Sequence, residues 1–469
     1  MRGGKPAPGW RALFSGNGLL VSLVLGGGVA LHAVNLYVST TMLPSVVRDI
    51  GGFEYYAWNT TMFVVASILG AAAAARLLAR AGPRGGYVLG ACVFAAGSAA
   101  CALAPTMAAM LAGRGLQGLG GGLLLALAYA LVRRVYAEPL WPRALALLSS
   151  LWGVATLLGP TVGGVFADMD RWRAAFGGLA MAAMLFVAVA LRALSGRDAG
   201  RPPAHREGLP WPQLALLVAA VVAASWGSLA GSVLRTAGGL AMAAMLVRAL
   251  VRTERRSTHR LLPRGVFDGR SPIGKLYGLS ALMAATVTCT EVFLPLFLQE
   301  LQGFSPLVAG YVAALMSAGW TLAAIAGASL RGKALDRAVR LGPFLSLASL
   351  VALMGALPAA AEGTPGVLAA TLLALVAGGM GVGLAYPHFC ARIMQVAMED
   401  EADQASAAIM TVQLCATAFG AALAGLVVNA GGSAGDAGAF DAANAARWLF
   451  AVVALAPIAC IGLMGKEWR

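Results

Sequence analysis

Charge is scarce in this chain of 469 residues, and acid is scarcer than base: charged residues make up 12%, with 20 Asp and Glu against 34 Lys and Arg. On a hydropathy reading every acid falls in a loop or tail except Glu291, which lies inside an apolar span. Six cysteines, Cys92, Cys101, Cys289, Cys390, Cys415 and Cys460, lie in spans without metal-ligand spacing. We read them as packing residues and expect no metal site. There is no phosphate-cradling glycine loop, no His-Glu-x-x-His pair and no Ser/His/Asp arrangement. ATP coupling and the common hydrolytic chemistries therefore have no support, and neither an enzyme nor a cofactor is expected. A signalling or scaffold role would need an added soluble domain, of which the chain shows no sign.

What the chain has in abundance is apolar length. Hydrophobic residues make up 59%, and long apolar runs recur from Gly18 to Gly465. Runs such as 86–105 and 174–194 are close to the roughly 20 residues that cross a bilayer as a helix. The fold class expected is an all-α, polytopic membrane protein. Fourteen spans are read at 18–42, 56–78, 86–105, 107–131, 144–167, 172–194, 212–229, 231–251, 273–298, 307–329, 339–361, 366–390, 405–429 and 446–464. The pair 212–229 and 231–251 is nearly continuous, with Gly227, Gly231 and Arg235 as its only turn signals. Fusing it would give thirteen spans.

The placement of base decides between the two counts. With fourteen spans the termini share a side, and about 28 of the 34 Lys and Arg fall on that side, including Arg76, Arg133, Arg134, Arg143, Arg331, Lys333 and Arg340, against about five opposite. That asymmetry places both termini in the cytoplasm of an inner or plasma membrane. The net charge of +14 is thus a topology signal and not a nucleic-acid footprint, although the run from Arg252 to Arg270 could touch anionic lipid. The positive tail Met1 to Asn17 leads into a long span with no clear small-residue cleavage site, so the first span is expected to be retained.

Two halves repeat. Leu43 and Pro44 followed by Asp49 and Gly52 match Leu294 and Pro295 followed by Glu300 and Gly303 at one constant offset, and a basic loop follows the next span in each case. A stretch rich in Arg, Gly and Pro, Ser195 to Pro212, reads as a linker between two bundles. Weak repeats related by an axis along the membrane normal are characteristic of transporters, with a substrate site between the halves near the midplane.

The motifs narrow the reading. The loop after the second span runs Ala79-Arg80-Ala81-Gly82-Pro83-Arg84, and its counterpart runs Gly332-Lys333-Ala334-Leu335-Asp336-Arg337. The fourth span carries Arg114, Gln117, Gly118 and Gly120; the fifth carries Gly153, then Gly159, Pro160, Gly163 and Gly164. In order and in span these resemble the loop motif, the RxxQGxG motif and the GPxxGG antiporter motif of the major facilitator superfamily. His259 to Pro263 and Phe267, with Leu294 to Gly310, are similar to the fourteen-span drug:proton antiporter branch, EmrB/QacA-like.

The resemblance covers roughly residues 18 to 465. It implies a cytoplasmic tail at 1–17, a six-helix bundle at 18–194, a linker with two added transmembrane helices and a basic loop at 195–272, and a second six-helix bundle at 273–469. It further implies alternating access around a central cavity, proton-coupled export of hydrophobic or cationic drugs or a small metabolite, and a monomer whose partners are substrate, protons and lipid. A proton-independent facilitator or exchanger for one metabolite is the alternative. Two departures stand out: Ala79 replaces the family's loop Asp, although Asp336 survives in the second copy, and Asn35 stands where many members carry an Asp that can titrate.

Proton coupling is assigned to Glu291, Arg114 and His32. A carboxylate near a helix centre costs about 2.5–3.5 kcal/mol to insert, so Glu291 either snorkels or pairs structurally, or takes up a proton whose affinity changes as the cavity alternates between wet and dry. Arg114 is permanently charged and must find carbonyls or an anion within the bundle. His32 could relay a proton, bind substrate, or be a satisfied core histidine. These three and Asn35 are expected at one depth, as a layer.

The cavity is assigned to Asn35, Gln117, Tyr129 and Thr286, with Met42, Phe63, Trp152, Phe293 and Trp320 as walls or plain core. Gating is assigned to Arg80, Gly82, Arg84, Asp336 and Arg337 and to the glycines and proline of the fifth span. Pro160 removes a backbone donor there, and the glycines permit a bend and close packing. His388 shapes a helix end; His205 and His259 are loop residues.

A reporter fused after Arg252 is expected to read as cytoplasmic and one at Gly303 as external. The reverse pair of results in a fusion assay would rule out the count of fourteen.

Overall fold

A computed structural model describes residues 14, 18–136, 140–194, 210–229, 233–257, 260–327, 330, 332–359, 365–398, 401–432 and 440–464. Most of the tail and of the 195–212 linker, with His205, His259 and Arg331, lies outside the described residues, as do the side chains of Arg133, Arg134 and Arg143.

In hydrocarbon each backbone N–H and C=O must find a partner within the chain, and the helix provides that locally. The described elements are accordingly helical, with no strand among them: α1 Gly18–Ile50, α2 Tyr56–Ala102, α3 Met107–Val135, α4 Trp141–Asp168, α5 Trp172–Ala193, α6 Trp211–Gly227, α7 Val233–Arg256, α8 Pro272–Gln302, α9 Pro306–Gly327, α10 Gly332–Ala359, α11 Pro365–Val396, α12 Ala402–Gly432, α13 Ala442–Val453 and α14 Leu455–Leu463. α2 is two spans in one element. Gly82 breaks it at φ 67°, and Pro83, which needs no N–H partner at a helix start, opens the second arm. α13 and α14 form one span, interrupted at Ala454 near Pro457.

Among the described residues thirteen helices are long and apolar enough to cross a membrane, and α6 is a shorter apolar helix of 17 residues. That length is the lower limit for a crossing. α6 and α7 lie antiparallel: a Cβ on Gly239 would fall 2.5 Å from the Gly227 Cα, and Thr236 donates to the Gly227 carbonyl at 3.0 Å. The nearly continuous stretch of sequence is therefore a hairpin, in line with fourteen helices.

Hydropathy underestimates helix length, because it ends where polar residues begin while the helix continues past the interface. α1 runs to Ile50 instead of stopping at 42, and α8 runs to Gln302 instead of 298. α7 continues to Arg256, which brings Glu254 into the helix. There Glu254 is buried and accepts the Leu262 N–H at 2.6 Å. The hydropathy reading put every acid but Glu291 in a loop or tail; Glu254 instead lies within α7. The repeat is visible in backbone geometry: Gly52 and Gly303 both take the left-handed conformation, at φ 80° and 64°.

Helices α1 to α5 pack mainly on one another, as do α8 to α14. The two groups meet through α4 with α9 and through α2 with α12. The polar bonds across that seam gather away from the basic loops: Leu307 N–H to Asp168, a short Thr161–Tyr311 hydroxyl pair, and Asn429 Nδ2 to the Glu54 carbonyl at 3.1 Å. Phe53 against Phe440 and Tyr56 stacked on Phe293 fill the same end. We call this the closed end. At the opposite, basic end, α3 and α11 make no extensive contact among the described residues.

α6 straps one flank of the seam. Its apolar side joins Phe63, Val64 and Ile68 of α2 and Leu414 and Ala418 of α12 in one cluster. At the closed end Trp58 donates to the Ser225 carbonyl at 3.0 Å, and Asn429 donates to the Ser228 carbonyl at 2.8 Å.

Asn429→Leu leaves the half-buried Glu54 and buried Ser228 carbonyl bonds without this donor. A loss of about 1–2 kcal/mol is expected, seen as a lower thermal midpoint of the purified protein in detergent. A wild-type midpoint would show that this tether contributes nothing.

Candidate functional site

Glycines bring α3 into backbone contact with α2. A Cβ at Gly118 would lie 2.1 Å from the Phe63 carbonyl oxygen, and one at Gly122 2.1 Å from that of Ser67. This approach carries Arg114 and Gln117, three residues apart and so on one helical face, into the middle of α1, α2 and α3.

Arg114 is 1% exposed. Its Nε donates to the Asn59 carbonyl at 3.3 Å, and its Nη1 donates to Gln117 Oε1 at 2.7 Å and Asn35 Oδ1 at 3.3 Å. Gln117 Nε2 then donates to Ser98 at 2.8 Å, and Ser39 donates to Asn59 Oδ1 at 3.0 Å. The guanidinium carbon lies 4.3 Å above the centre of the Phe63 ring, an arrangement that stabilises a desolvated cation by about 2 kcal/mol. Among the described residues no carboxylate pairs with Arg114. Neutral oxygens and a π face carry the whole charge, and the Nδ2 groups of Asn35 and Asn59 have no partner. The group is rich in donors and free of acid.

His32 packs beside it, 5.1 Å from the Phe63 ring and 5.9 Å from Trp152. A Cβ on Gly121 would fall 2.9 Å from His32 Nδ1, so the glycine makes its room.

Glu291 belongs to a second group. Ser317 Oγ on α9 donates to Glu291 Oε1 at 2.7 Å, and the Tyr37 hydroxyl on α1 lies 3.3 Å from the same Oγ. Since the Ser317 proton is directed at the carboxylate, the phenol is the donor to Ser317. The Thr156 hydroxyl of α4 donates to the Trp152 carbonyl at 2.9 Å. The four residues expected in one layer are thus divided: two positions on a helix are about 200° apart, so Asn35 and Tyr37 face opposite sides of α1. Glu291 is eleven residues from the end of α8 at Gln302, about 16 Å along the axis. It is deeper from its helix end than the span boundary at 298 implied.

The fifth-span motif acts at the seam. A Cβ on Gly159 would fall 2.2 Å from that of Tyr37, and one on Gly163 2.6 Å from the Val38 carbonyl oxygen, so α4 lies against α1. Gly164 faces the other way, 2.4 Å by the same measure from the Leu307 Cα of α9. Pro160 packs near Gly310. Gly153 has nothing within 4 Å of a modest added Cβ, so close packing is not its role.

Of the cavity residues, Asn35, Gln117 and Thr286 are enclosed, and the Thr286 hydroxyl bonds back to Leu282 O at 2.9 Å. Met42, Phe63 and Phe293 are fully buried, whereas Tyr129, Trp152 and Trp320 are half-exposed. At the basic end Arg80 and Arg337 are exposed and Arg84 and Asp336 half-buried; the Asp336 carbonyl accepts Arg340 Nε at 3.2 Å. His388 is half-buried, its Nε2 near Gly327. Sequence reasoning missed Tyr37, Ser39, Asn59, Ser98 and Ser317. Their one signal was polarity inside apolar spans, which ordinary Ser and Tyr do not make specific.

Comparison with known proteins places this geometry. Residues 25–421 match the family model for the Major Facilitator Superfamily. A Mycobacterium tuberculosis protein named a probable multidrug-efflux transporter is 41% identical over 427 residues, covering 90% of this chain and 89% of that protein. The multidrug transporter protein MdtP of Bacillus subtilis is 24% identical over 395 residues, 83% of this chain and 71% of its own length. Among solved structures, an auto-inhibited peptide transporter of the POT family has TM-score 0.68 at 17% identity, covering 96% of this chain and 97% of that one. A D-xylose-proton symporter has TM-score 0.65 at 14% identity, covering 95% and 97%. At such identities the structures speak for the fold alone. The sequence relatives carry the assignment further: this multi-pass chain belongs to the major facilitator superfamily of membrane transporters.

Proposed function

We propose that the chain exports hydrophobic or cationic compounds, or a small metabolite, by alternating access coupled to inward proton movement through Glu291, as in the fourteen-span drug:proton antiporter branch. One observation carries the reading. A carboxylate deep in the bundle is hydrogen-bonded through Ser317 to a helix of the other half, where a proton or a cationic substrate on it bears directly on the seam. The names of the multidrug-efflux relatives support the substrate class.

In this reading the basic end is cytoplasmic and the structure is closed to the outside. The moving units are the bundles 18–194 and 273–469, with α6 and α7 inserted between them, and the carrier works as a monomer. The Arg114 group is a fixed positive charge on the far face of α1 that biases the proton site without exchanging protons itself, since guanidinium stays charged. Tyr129, Trp152 and Trp320 offer an apolar wall to a drug-like molecule. Asp336, in the first turns of α10 at the basic end, serves the inner gate when that end closes.

The acid-free surroundings of Arg114, with Asn35 beside it, favour a second reading: a proton-independent exchanger for one metabolite. The Glu291→Gln variant separates the two. It keeps size and removes the charge, and is expected to fold, to lose uphill export driven by a pH gradient in everted vesicles, and to retain more of its downhill exchange. Export and substrate-induced proton release at wild-type levels would exclude Glu291 from coupling.

Gly164→Val puts bulk where α4 meets the Leu307 backbone and should hold the closed end apart. Cysteines introduced at that end are expected to react with impermeant maleimide faster than in the parent, by roughly tenfold for each 1.4 kcal/mol of lost closure. Unchanged labelling would mean that Gly164 has no role in closure.

A further inference from the structure

We infer that Tyr37 is a positioning residue that holds the closed end shut while Glu291 is ionised and unoccupied, thereby preventing the empty carrier from cycling. The inference rests on the reading of Glu291 as the coupling acid.

The three groups in line belong to both halves. Tyr37 is on α1, Ser317 on α9 and Glu291 on α8, with separations of 3.3 Å and 2.7 Å. Every donor points the same way: phenol to serine, serine to carboxylate. A serine whose proton is given to an anion is a better acceptor for the phenol, because successive hydrogen bonds polarise one another, and bonds to an ionised acceptor are roughly twice as strong as neutral ones. Opening the closed end must separate α1 and α4 from α8 and α9. The Tyr37–Ser317 bond is the link in this line that spans the two halves, so it breaks whenever that end opens.

The phenol is well fixed for such a task. A Cβ on Gly159 would collide with that of Tyr37, so α4 lies directly against this residue. Among the described residues the hydrogen-bonded line to Glu291 consists of Ser317 from α9 and, through Ser317, Tyr37 from α1. Among the described residues no Lys, Arg, His or Asp bonds to Glu291, and Arg114 and His32 contact other partners.

The consequence is a rule about which form of the carrier can turn over. Ionised and empty, Glu291 draws Ser317 and Tyr37 together across the seam. A cationic substrate takes over the carboxylate, Ser317 loses its anionic acceptor, and the link weakens. A proton has the same effect: it binds the carboxylate on one side and leaves it on the other, and while bound it removes the anionic acceptor that strengthens the link. Removal of the phenolic hydroxyl frees the ionised, empty form to open, gain a proton and return, which is an uncoupled leak.

The leak measurement needs no known substrate. Purified protein is reconstituted into liposomes with a trapped pH dye, and the decay of an imposed pH gradient is followed without substrate. Tyr37→Phe is expected to speed the decay by roughly tenfold, the factor that about 1.4 kcal/mol of lost hydrogen bonding represents. Ser317→Ala cuts the same link from the other half and should leak likewise, which keeps the test decisive if one variant folds poorly. Adding Glu291→Gln to either should abolish the leak, because the proton then has no carrier. Wild-type decay in both single variants, with Glu291→Gln still losing coupled export, would overturn the role of Tyr37 and leave that of Glu291 intact. A leak that persists in the double variants would refute Glu291 as the proton carrier, and this inference with it.

Discussion

A guanidinium enclosed among membrane-spanning helices, with no carboxylate beside it, constrains everything around it. Desolvating a cation costs several kcal/mol, and in hydrocarbon only internal groups can repay that. Arg114 draws on the Asn59 carbonyl, the Asn35 and Gln117 amide oxygens and the Phe63 ring. Those acceptors come from α1, α2 and α3 and reach Arg114 only because Gly118 and Gly122 let α3 lie against the α2 backbone. The glycine run and the buried charge are thus one feature: without the close approach the cation would lack acceptors, and without the cation the polar residues would lack a purpose.

The same economy of small residues sets the seam. In lipid there is no hydrophobic drive between apolar helices, so association depends on van der Waals contact and a few polar bonds. On α4 alternate glycines serve different neighbours: Gly159 and Gly163 accommodate α1, and Gly164 accommodates α9. One helix therefore binds its own half and closes against the other with successive positions. Contacts between backbones of this kind are made or broken as a whole, which suits a two-state closure.

Between these features lies α1, which separates a fixed charge from a titratable one. Asn35 turns to Arg114 and Tyr37 turns to the Ser317–Glu291 pair.

Much of this protein can be read from its residues. Apolar length, the bias of Arg and Lys, and the offset that pairs Gly52 with Gly303 determined an all-helical membrane chain with two related halves, because the bilayer imposes length and polarity on every span alike. The motifs of α3 and α4 determined where close packing falls, since only glycine permits it. Helix ends were less legible: hydropathy stops at the interface while α1, α7 and α8 continue, which hid the burial of Glu254. What only the tertiary structure decided is which polar residues share a network. A depth along a helix axis can be counted from sequence, but the direction a side chain meets depends on how its helix is rotated against three or four neighbours, and that rotation is set by packing contacts distant in the chain. His32, Asn35, Arg114 and Glu291 share a depth in the sequence, and the packing of α1 against α3, α4 and α9 divides them.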